Sequence, residues 1–132
     1  MTLYASRAAA EVAADRLKTY AQPQRLMILS RLIDGEHTVG DIEEATGIRQ
    51  PGLSQQLAEL RRAAIVKTRK VSKQVFYRLA DEKVLICVRG IEAMFGTESD
   101  VEAALGGVIA GFKRVTPTAH PKAAAAFARL GP

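Results

Sequence analysis

Hydrophobic positions in the first quarter of the chain recur at helical spacing and predict two helices. The first runs over residues 5–20 and is rich in alanine. The second runs over residues 23–33, where Leu26, Leu29 and Ile33 share one side. We expect that side to face the core.

A third and shorter helix is predicted to begin near Val39. Thr38 and Asp41 stand three residues apart, the spacing of a capping box, in which hydroxyl and carboxylate accept free N–H groups at a helix start. Gly47 follows and supplies the backbone freedom of a tight turn. The pattern therefore predicts helix, turn and a further helix.

That fourth helix is predicted from Gln50-Pro51 to about Ala64, and its leucines form one apolar stripe. Its opposite side is polar and free of acids, since the one acid, Glu59, lies towards the rear. Serine and glutamine can hydrogen-bond base edges in a major groove. The residues expected to point outward are Pro51, Ser54, Gln55, Ala58 and Arg62.

Two strand-like runs, residues 65–70 and 74–79, follow and predict a hairpin whose tip is Val71-Ser72-Lys73. A fifth helix is predicted over residues 81–95. The expected fold is therefore mainly α with a small β-hairpin, a winged helix-turn-helix of order ααααββα in which the hairpin is the wing.

The fifth helix carries more apolar surface than one small domain needs, so we expect it to form a homodimer interface together with the first. The alternative is that it only caps its own domain. The residues predicted for the interface are Val12, Leu17, Val84, Val88, Ile91 and Phe95.

The 132 residues divide by pattern into two parts. Residues 1–96 are expected to form the DNA-binding and dimerisation domain. Residues 97–132 are expected to form a C-terminal extension, partly helical or mobile, because glycines weaken its helical pattern.

Positive charge is concentrated in residues 49–78, which hold eight basic residues against one acid, a local charge of +7. The whole chain carries only +5, so the remainder is net negative. We expect this charge to lie on one surface and to bind the phosphates of double-stranded DNA. The alternative is a winged-helix protein-interaction module whose basic wing meets an acidic protein.

Two sets of DNA contacts are predicted. The candidates for base contacts are Gln50, Ser54 and Gln55, with Gln55 favoured because its amide can pair both edge groups of adenine. The candidates for phosphate or minor-groove contacts are Arg49, Arg61, Arg62, Arg69, Lys70 and Lys73.

The composition also bears on membrane association, disulfides, metal sites and enzymatic activity. No apolar run approaches the roughly 20 residues that span a bilayer, so we expect a cytoplasmic protein without a membrane partner. The single cysteine excludes an intrachain disulfide, and no metal site or cofactor is predicted. His37 and His120 are expected to be solvated loop residues. No nucleophile stands at a recognised spacing from a base, so we expect no enzyme.

Residues 17–96 resemble the ArsR family of bacterial winged-helix repressors, within it the branch that contains BigR, SqrR, HlyU and NolR. The motifs that carry the resemblance are AQPQRLMIL at 21–29, VGDI at 39–42, QPGLSQQL at 50–57 and KQVFY at 73–77. The resemblance implies a homodimeric repressor whose first and last core helices pack across the twofold axis. Each recognition helix would then enter one half-site of an inverted repeat.

The chain departs from this family at its sensor positions. The stretches that hold metal ligands in metal-sensing members offer no convergent set here. Where sulfur- and redox-sensing members carry a cysteine pair, this chain has Ser30 and Gly96. The resemblance therefore implies no dithiol switch. Cys87 is expected to be a buried, unreactive thiol, with a sensor thiol or a cross-dimer bond as the alternatives, and any small-molecule or sulfur effector is unknown.

Overall fold

A computed structural model describes residues 2–96 of the chain. The expectation for residues 97–132 lies outside these described residues. The chain divides into two compact units, Met1–Asp81 and a second that begins at Glu82. Among the helices of the described part, none is long and apolar enough to cross a bilayer.

The order of elements is that of a winged helix-turn-helix, as predicted, with one strand more than expected. The helices are α1 (Arg7–Tyr20), α2 (Pro23–Arg31), α3 (Val39–Thr46), α4 (Gly52–Arg62) and α5 (Glu82–Phe95). The strands are β1 (His37–Thr38), β2 (Val66–Val71) and β3 (Gln74–Leu79), and short 3-10 turns cover Leu3–Ala5 and Leu32–Asp34.

The unpredicted strand β1 makes the hairpin into an antiparallel sheet of order β1-β3-β2. His37 pairs with Tyr77, and Thr38 pairs with Phe76. A strand of two residues is too short to show an alternating pattern, so it could not be predicted from periodicity. Its pairing ties the wing to the start of α3.

The core of the first unit is formed by apolar side chains from the helices and the sheet. In α2 the buried residues are Ile28 and Leu29, and Leu32 is buried in the following turn, whereas Leu26 and Ile33 are only half-buried. The predicted inner side of α2 was therefore right for Leu29 and wrong for Leu26 and Ile33. Ile28, Leu29 and Leu32 also share one side of a helix, so periodicity alone did not choose between the two sides, and the 3-10 turn after Arg31 rotates Ile33 away.

In α4, Leu53, Leu57 and Leu60 are buried, which confirms the leucine stripe. The predicted end of the helix was too late. Ala64 lies beyond it in the left-handed region, with φ of 59°. This turn redirects the chain into β2.

The capping box of α3 is confirmed. The Asp41 N–H donates to the Thr38 hydroxyl, and the Thr38 N–H donates to the Asp41 carboxylate, both at 3.2 Å. Hydrogen bonds to the Asp41 carboxylate, first from the Thr38 backbone N–H and then from the Thr38 side chain, lower the pKa of Asp41. At the other end of α3, Gly47 has φ of 73° and its N–H donates to the Glu43 carbonyl.

The α5 residues predicted for a dimer interface divide into two groups. Val84 and Val88 are 2% and 1% exposed, so they are buried within the single chain, one helical turn apart on α5. The interface itself stays a prediction. Phe95 is 79% exposed, and Ile91 is half-buried.

The left-handed turn at Gly47 makes a testable contribution to stability. We expect Gly47→Ala to lower the free energy of unfolding by about 1 to 2 kcal/mol, because an L-residue is disfavoured at this φ. No atom lies within 4 Å of the added methyl group, so the cost is one of backbone conformation. Urea unfolding at one fixed protein concentration measures it.

Gly40→Ala is the matched control within the same helix. Its added carbon would meet only the Thr38 hydroxyl, at 3.8 Å, and alanine favours the helix, so we expect unchanged or slightly raised stability. Equal losses in the two variants would show that the conformation of Gly47 is not what the turn requires.

Candidate nucleic-acid interface

Helix α4 presents a polar side to solvent because its leucines are buried on the other. Ser54 and Gln55 are exposed on the side opposite to Leu53 and Leu57. The hydroxyl of Ser54 and the amide of Gln55 have no hydrogen-bond partner among the described residues. Both groups are therefore available to a ligand.

Two arginines from other helices hold α4 in place, a role that the sequence pattern did not predict. Arg25 Nε in α2 donates to Gln56 Oε1 at 2.8 Å, and its Nη1 donates to the Thr19 carbonyl at 3.3 Å. Arg16 Nη1 in α1 donates to the Ala63 carbonyl at 3.2 Å, just after α4 ends. Hydrogen bonds between residues this far apart in sequence cannot be inferred from local spacing.

The side chain of Gln50 serves the start of α4. Its Oε1 accepts the N–H of Ser54 at 3.0 Å, which satisfies one of the free donors of the first turn. The amide nitrogen of Gln50 remains as a donor, and the second lone pair of its oxygen remains as an acceptor for a base contact.

A groove of about 460 Å³ lies between α4 and β3. Its lining carries two guanidinium groups and two hydroxyls, and no carboxylate. The lining residues are Ser54, Ala58, Arg61, Arg62 and Tyr77. Because its polar side chains can all donate hydrogen bonds, the groove suits an anionic ligand.

Basic residues lie on both faces of the hairpin, so the positive charge is not confined to one surface as the sequence predicted. Residues paired directly opposite in an antiparallel sheet share a face, and successive residues alternate. Arg69 pairs with Phe76, and Lys67 pairs with Arg78. These residues therefore lie on the face opposite to Tyr77, the residue that lines the groove with α4.

Arg69 is already engaged by a carboxylate, which the sequence did not predict. Its Nε donates to both oxygens of Glu36, at 2.6 and 2.9 Å. Its guanidinium carbon lies 5.8 Å from the centre of the Phe76 ring, within reach of a cation–π contact. The terminal nitrogens of Arg69 have no partner among the described residues.

The ion pair between Glu36 and Arg69 shifts the pKa values of the two groups in opposite directions. The hydrogen bond from Arg69, with further attraction from Arg69 and Arg78, lowers the pKa of Glu36, and the same hydrogen bond raises the pKa of Arg69. The contribution of the pair to stability is therefore complete above the ordinary glutamate pKa of 4.5 and is lost as the pH falls through the lowered pKa. The pair is intact at neutral pH.

His37 is in strand β1, half-buried, and not in the solvated loop that the sequence suggested. Its Nε2 lies 3.0 Å from Asp34 Oδ1, and its Nδ1 lies 3.9 Å from Asp41 Oδ2. The hydrogen bond with His37 lowers the pKa of Asp34. Within residues 2–96 there is no group of three or more side chains that could hold a metal ion. His120 lies outside the described residues.

All nine predicted DNA contacts are exposed, but they differ in what they already bind. Arg62 Nη1 donates to Glu59 at 2.7 Å, and Arg69 is held by Glu36. Arg61 and Lys70 have no charged partner among the described residues. Tyr77, Glu36 and Arg25 are residues of this surface that the sequence reasoning missed.

Comparisons with known proteins agree with this geometry. Residues 22–68, which run from α2 through α4 into β2, match the model of the bacterial regulatory protein family arsR. The chain is 51% identical over 79 residues to a biofilm growth-associated repressor of Agrobacterium fabrum, an alignment that covers 60% of this chain and 68% of that protein.

Solved structures show the same fold. The transcriptional repressor BigR from Xylella fastidiosa superposes with a TM-score of 0.67 at 42% identity, over 74% of this chain and all of that one. A homodimeric winged helix-turn-helix DNA-binding domain from Mycobacterium bovis superposes with a TM-score of 0.60 at 30% identity, over 67% of this chain and 82% of that one.

The family model and these relatives confirm the resemblance seen in the motifs, and all of them are regulators and not enzymes. This chain belongs to the arsR family of bacterial regulatory proteins and is a DNA-binding transcriptional regulator.

Proposed function

We propose that this regulator is a cytoplasmic homodimeric repressor that binds an inverted repeat in duplex DNA. The observation that carries the proposal is the exposed polar side of α4, held by the buried leucines and by Arg25, where the one acid of the helix, Glu59, is paired with Arg62. A polar helix side that is held in this way and carries no unpaired carboxylate fits a major groove. In a symmetric dimer the two copies of α4 would read half-sites about one helical turn apart, roughly 34 to 36 Å.

Sequence preference is assigned to Gln55 and Ser54, with Gln50 at the start of the helix. Gln55 can hydrogen-bond both edge groups of an adenine. Gln50 offers its amide nitrogen and the second lone pair of its oxygen, since the first lone pair caps α4. Base contacts of this kind set specificity, whereas contacts to phosphates set affinity and position.

The exposed cations around α4 and on the wing are assigned to phosphates. They are Arg49, Arg61, Arg62, Arg69, Lys70 and Lys73. Arg62 and Arg69 already have carboxylate partners, so their net attraction for DNA is smaller than that of an unpaired cation. Lys73 lies in the hairpin turn, where the wing can reach a groove or the backbone.

Dimerisation is supported by apolar surface left uncovered on the single chain. Val12 and Leu17 in α1 are 70% and 55% exposed, and Phe95 at the end of α5 is 79% exposed. Surface of this kind marks a protein interface. The M. bovis domain with the same fold is a homodimer. Val84 and Val88 are buried in the single chain, so their proposed contribution to the dimer is indirect, through the packing of α5.

The proposal includes no metal or cofactor. The only cysteine, Cys87, is free and half-buried in α5. A chain with one cysteine cannot form an intrachain disulfide, so a switch of that kind is excluded.

Gln55→Ala tests the reading of DNA. The operator is first obtained by selecting genomic fragments with the purified protein at about 150 mM salt, which should enrich an inverted repeat. On that site we expect Gln55→Ala to cost about 1 to 3 kcal/mol per contacted base and to relax the preference at that position. Binding constants on the operator and on single-base variants measure both effects.

Lys73→Ala is the contrasting variant. It should weaken binding to all sequences alike and reduce the slope of log K against log salt by about one unit for each protomer. Unchanged specificity in Gln55→Ala would show that the orientation assigned to α4 is wrong. Selection without any enriched motif would favour the protein-interaction alternative.

Leu17→Glu tests the dimer. A charge placed in a symmetric interface occurs twice and must be buried twice, so we expect the dimer dissociation constant to rise by at least about tenfold. Sedimentation equilibrium measures it. Met27→Glu places the same charge on an apolar side chain of α2 that is 46% exposed, and it should leave the dimer intact. Equal effects of both variants would remove α1 from the interface.

Glu36→Gln tests the internal pairing of the wing. The substitution removes the carboxylate that holds Arg69, so we expect tighter binding to all DNA sequences and a salt slope steeper by up to about one unit per protomer. Asp15→Asn, an exposed site on α1 without a charged partner in the described part, makes the same change of charge elsewhere. If both variants changed the slope equally, the effect would be one of net charge and not of Arg69.

A further inference from the structure

The groove between α4 and β3 contains a group that neither the helix nor the wing motif accounts for, the hydroxyl of Tyr77. This side chain lies on the same face of β3 as the buried Leu79 and lines the groove opposite α4. Its hydroxyl has no hydrogen-bond partner among the described residues. A half-buried phenol with a free hydroxyl at the edge of a groove is poised to donate to a ligand.

The other polar groups of the groove complete a set of donors. Arg61 offers a guanidinium without a charged partner in the described part of the chain. Arg62 keeps part of its guanidinium available, because only its Nη1 is used by Glu59. A ligand in this groove would meet donors from α4 on one side and a donor from β3 on the other.

We propose that this groove binds one phosphate of the DNA backbone, with the Tyr77 hydroxyl and the Arg61 guanidinium as its donors. This inference rests on the proposed function, since it assigns a position on the same DNA. The non-bridging oxygens of a phosphodiester only accept hydrogen bonds, which matches the donor character of the groove. The groove also adjoins Ser54, so the phosphate would belong to the half-site that α4 reads.

The two donors, Arg61 and Tyr77, contribute differently to phosphate binding. The guanidinium of Arg61 attracts a phosphate over a distance and releases counterions on binding. The phenol of Tyr77 is neutral, so it contributes only when the phosphate is correctly placed. The groove therefore fixes the register of α4 on the duplex from the wing side, independently of the base contacts of Gln55.

Tyr77→Phe separates these effects. We expect binding to the selected operator to weaken by about three- to tenfold, the range for one lost hydrogen bond, with the salt slope unchanged because no charge is lost. Arg61→Gln should weaken binding and also reduce the slope by about one unit per protomer. Tyr4→Phe, a hydroxyl removed from an exposed tyrosine outside the groove, should bind as the wild type does.

The phosphate itself is located with operator duplexes that carry a neutral methylphosphonate at one backbone position at a time. We expect one position in each half-site where the substitution weakens binding by the wild type more than binding by either variant, because each variant has already lost one donor to that phosphate. The loss should be smallest for Arg61→Gln, which lacks the charged donor, and this second variant keeps the test valid if Tyr77→Phe alters folding. Thermal unfolding of each variant monitors the fold.

The two proposals fail in different ways. If Tyr77→Phe binds as the wild type and no methylphosphonate position is coupled to either variant, while Gln55→Ala still loses sequence preference, the groove assignment is overturned and the proposed function stands. If the wild type itself selects no operator, the proposed function is overturned and the groove assignment with it.

Discussion

Burial of the leucine stripe of α4 is the interaction on which the DNA-binding surface depends. Leu53, Leu57 and Leu60 are all buried, and a side chain of this size contributes about 1.5 to 3 kcal/mol when it is removed from water. Because the stripe fixes the rotation of the helix, it also decides that Ser54 and Gln55 point outward. Specificity for a base edge requires such rigidity, since a hydrogen bond is lost over a displacement of less than 1 Å.

Leucines alone fix the rotation of α4 but do not fix its position along its axis. Arg25 and Arg16 supply this second constraint, because each joins another helix to α4 or to the residues that follow it. Hydrogen bonds that involve a guanidinium are directional and stronger than those between neutral groups. Packing and directed hydrogen bonds together make α4 a helix with one defined side and one defined register.

Two acids on this surface reduce the repulsion among the cations of the strongly basic segment. Glu36 and Glu59 lie beside Arg69 and Arg62, so two of the cations are partly neutralised before DNA binds. Exposed ion pairs of this kind contribute little to stability, so a phosphate can compete with the carboxylate at small cost. The fold thereby limits self-repulsion without removing the cations from the surface.

The sequence was most informative where a local motif had one interpretation, and uninformative where residues meet from distant parts of the chain. The capping box of Thr38, the turn at Gly47 and the leucine stripe are local, and all three are confirmed. The pairing of Glu36 with Arg69 spans 33 positions and depends on the short strand β1. The position of Tyr77 opposite α4 likewise requires knowledge of which face of β3 is covered, and alternation alone does not choose between two faces.

The face of β3 on which Tyr77 lies affects the expected salt dependence of DNA binding. Counting cations from sequence treats every basic residue of 49–78 as equivalent, whereas the hairpin separates Lys67, Arg69 and Arg78 from the residues that share a face with Tyr77. In the proposed complex a duplex held against α4 would meet the Tyr77 face first, and the neutral phenol would add affinity there without adding counterion release. The affinity of the protein should therefore depend less steeply on salt than its charge alone would require, and in a dimer this difference is doubled because each donor occurs twice.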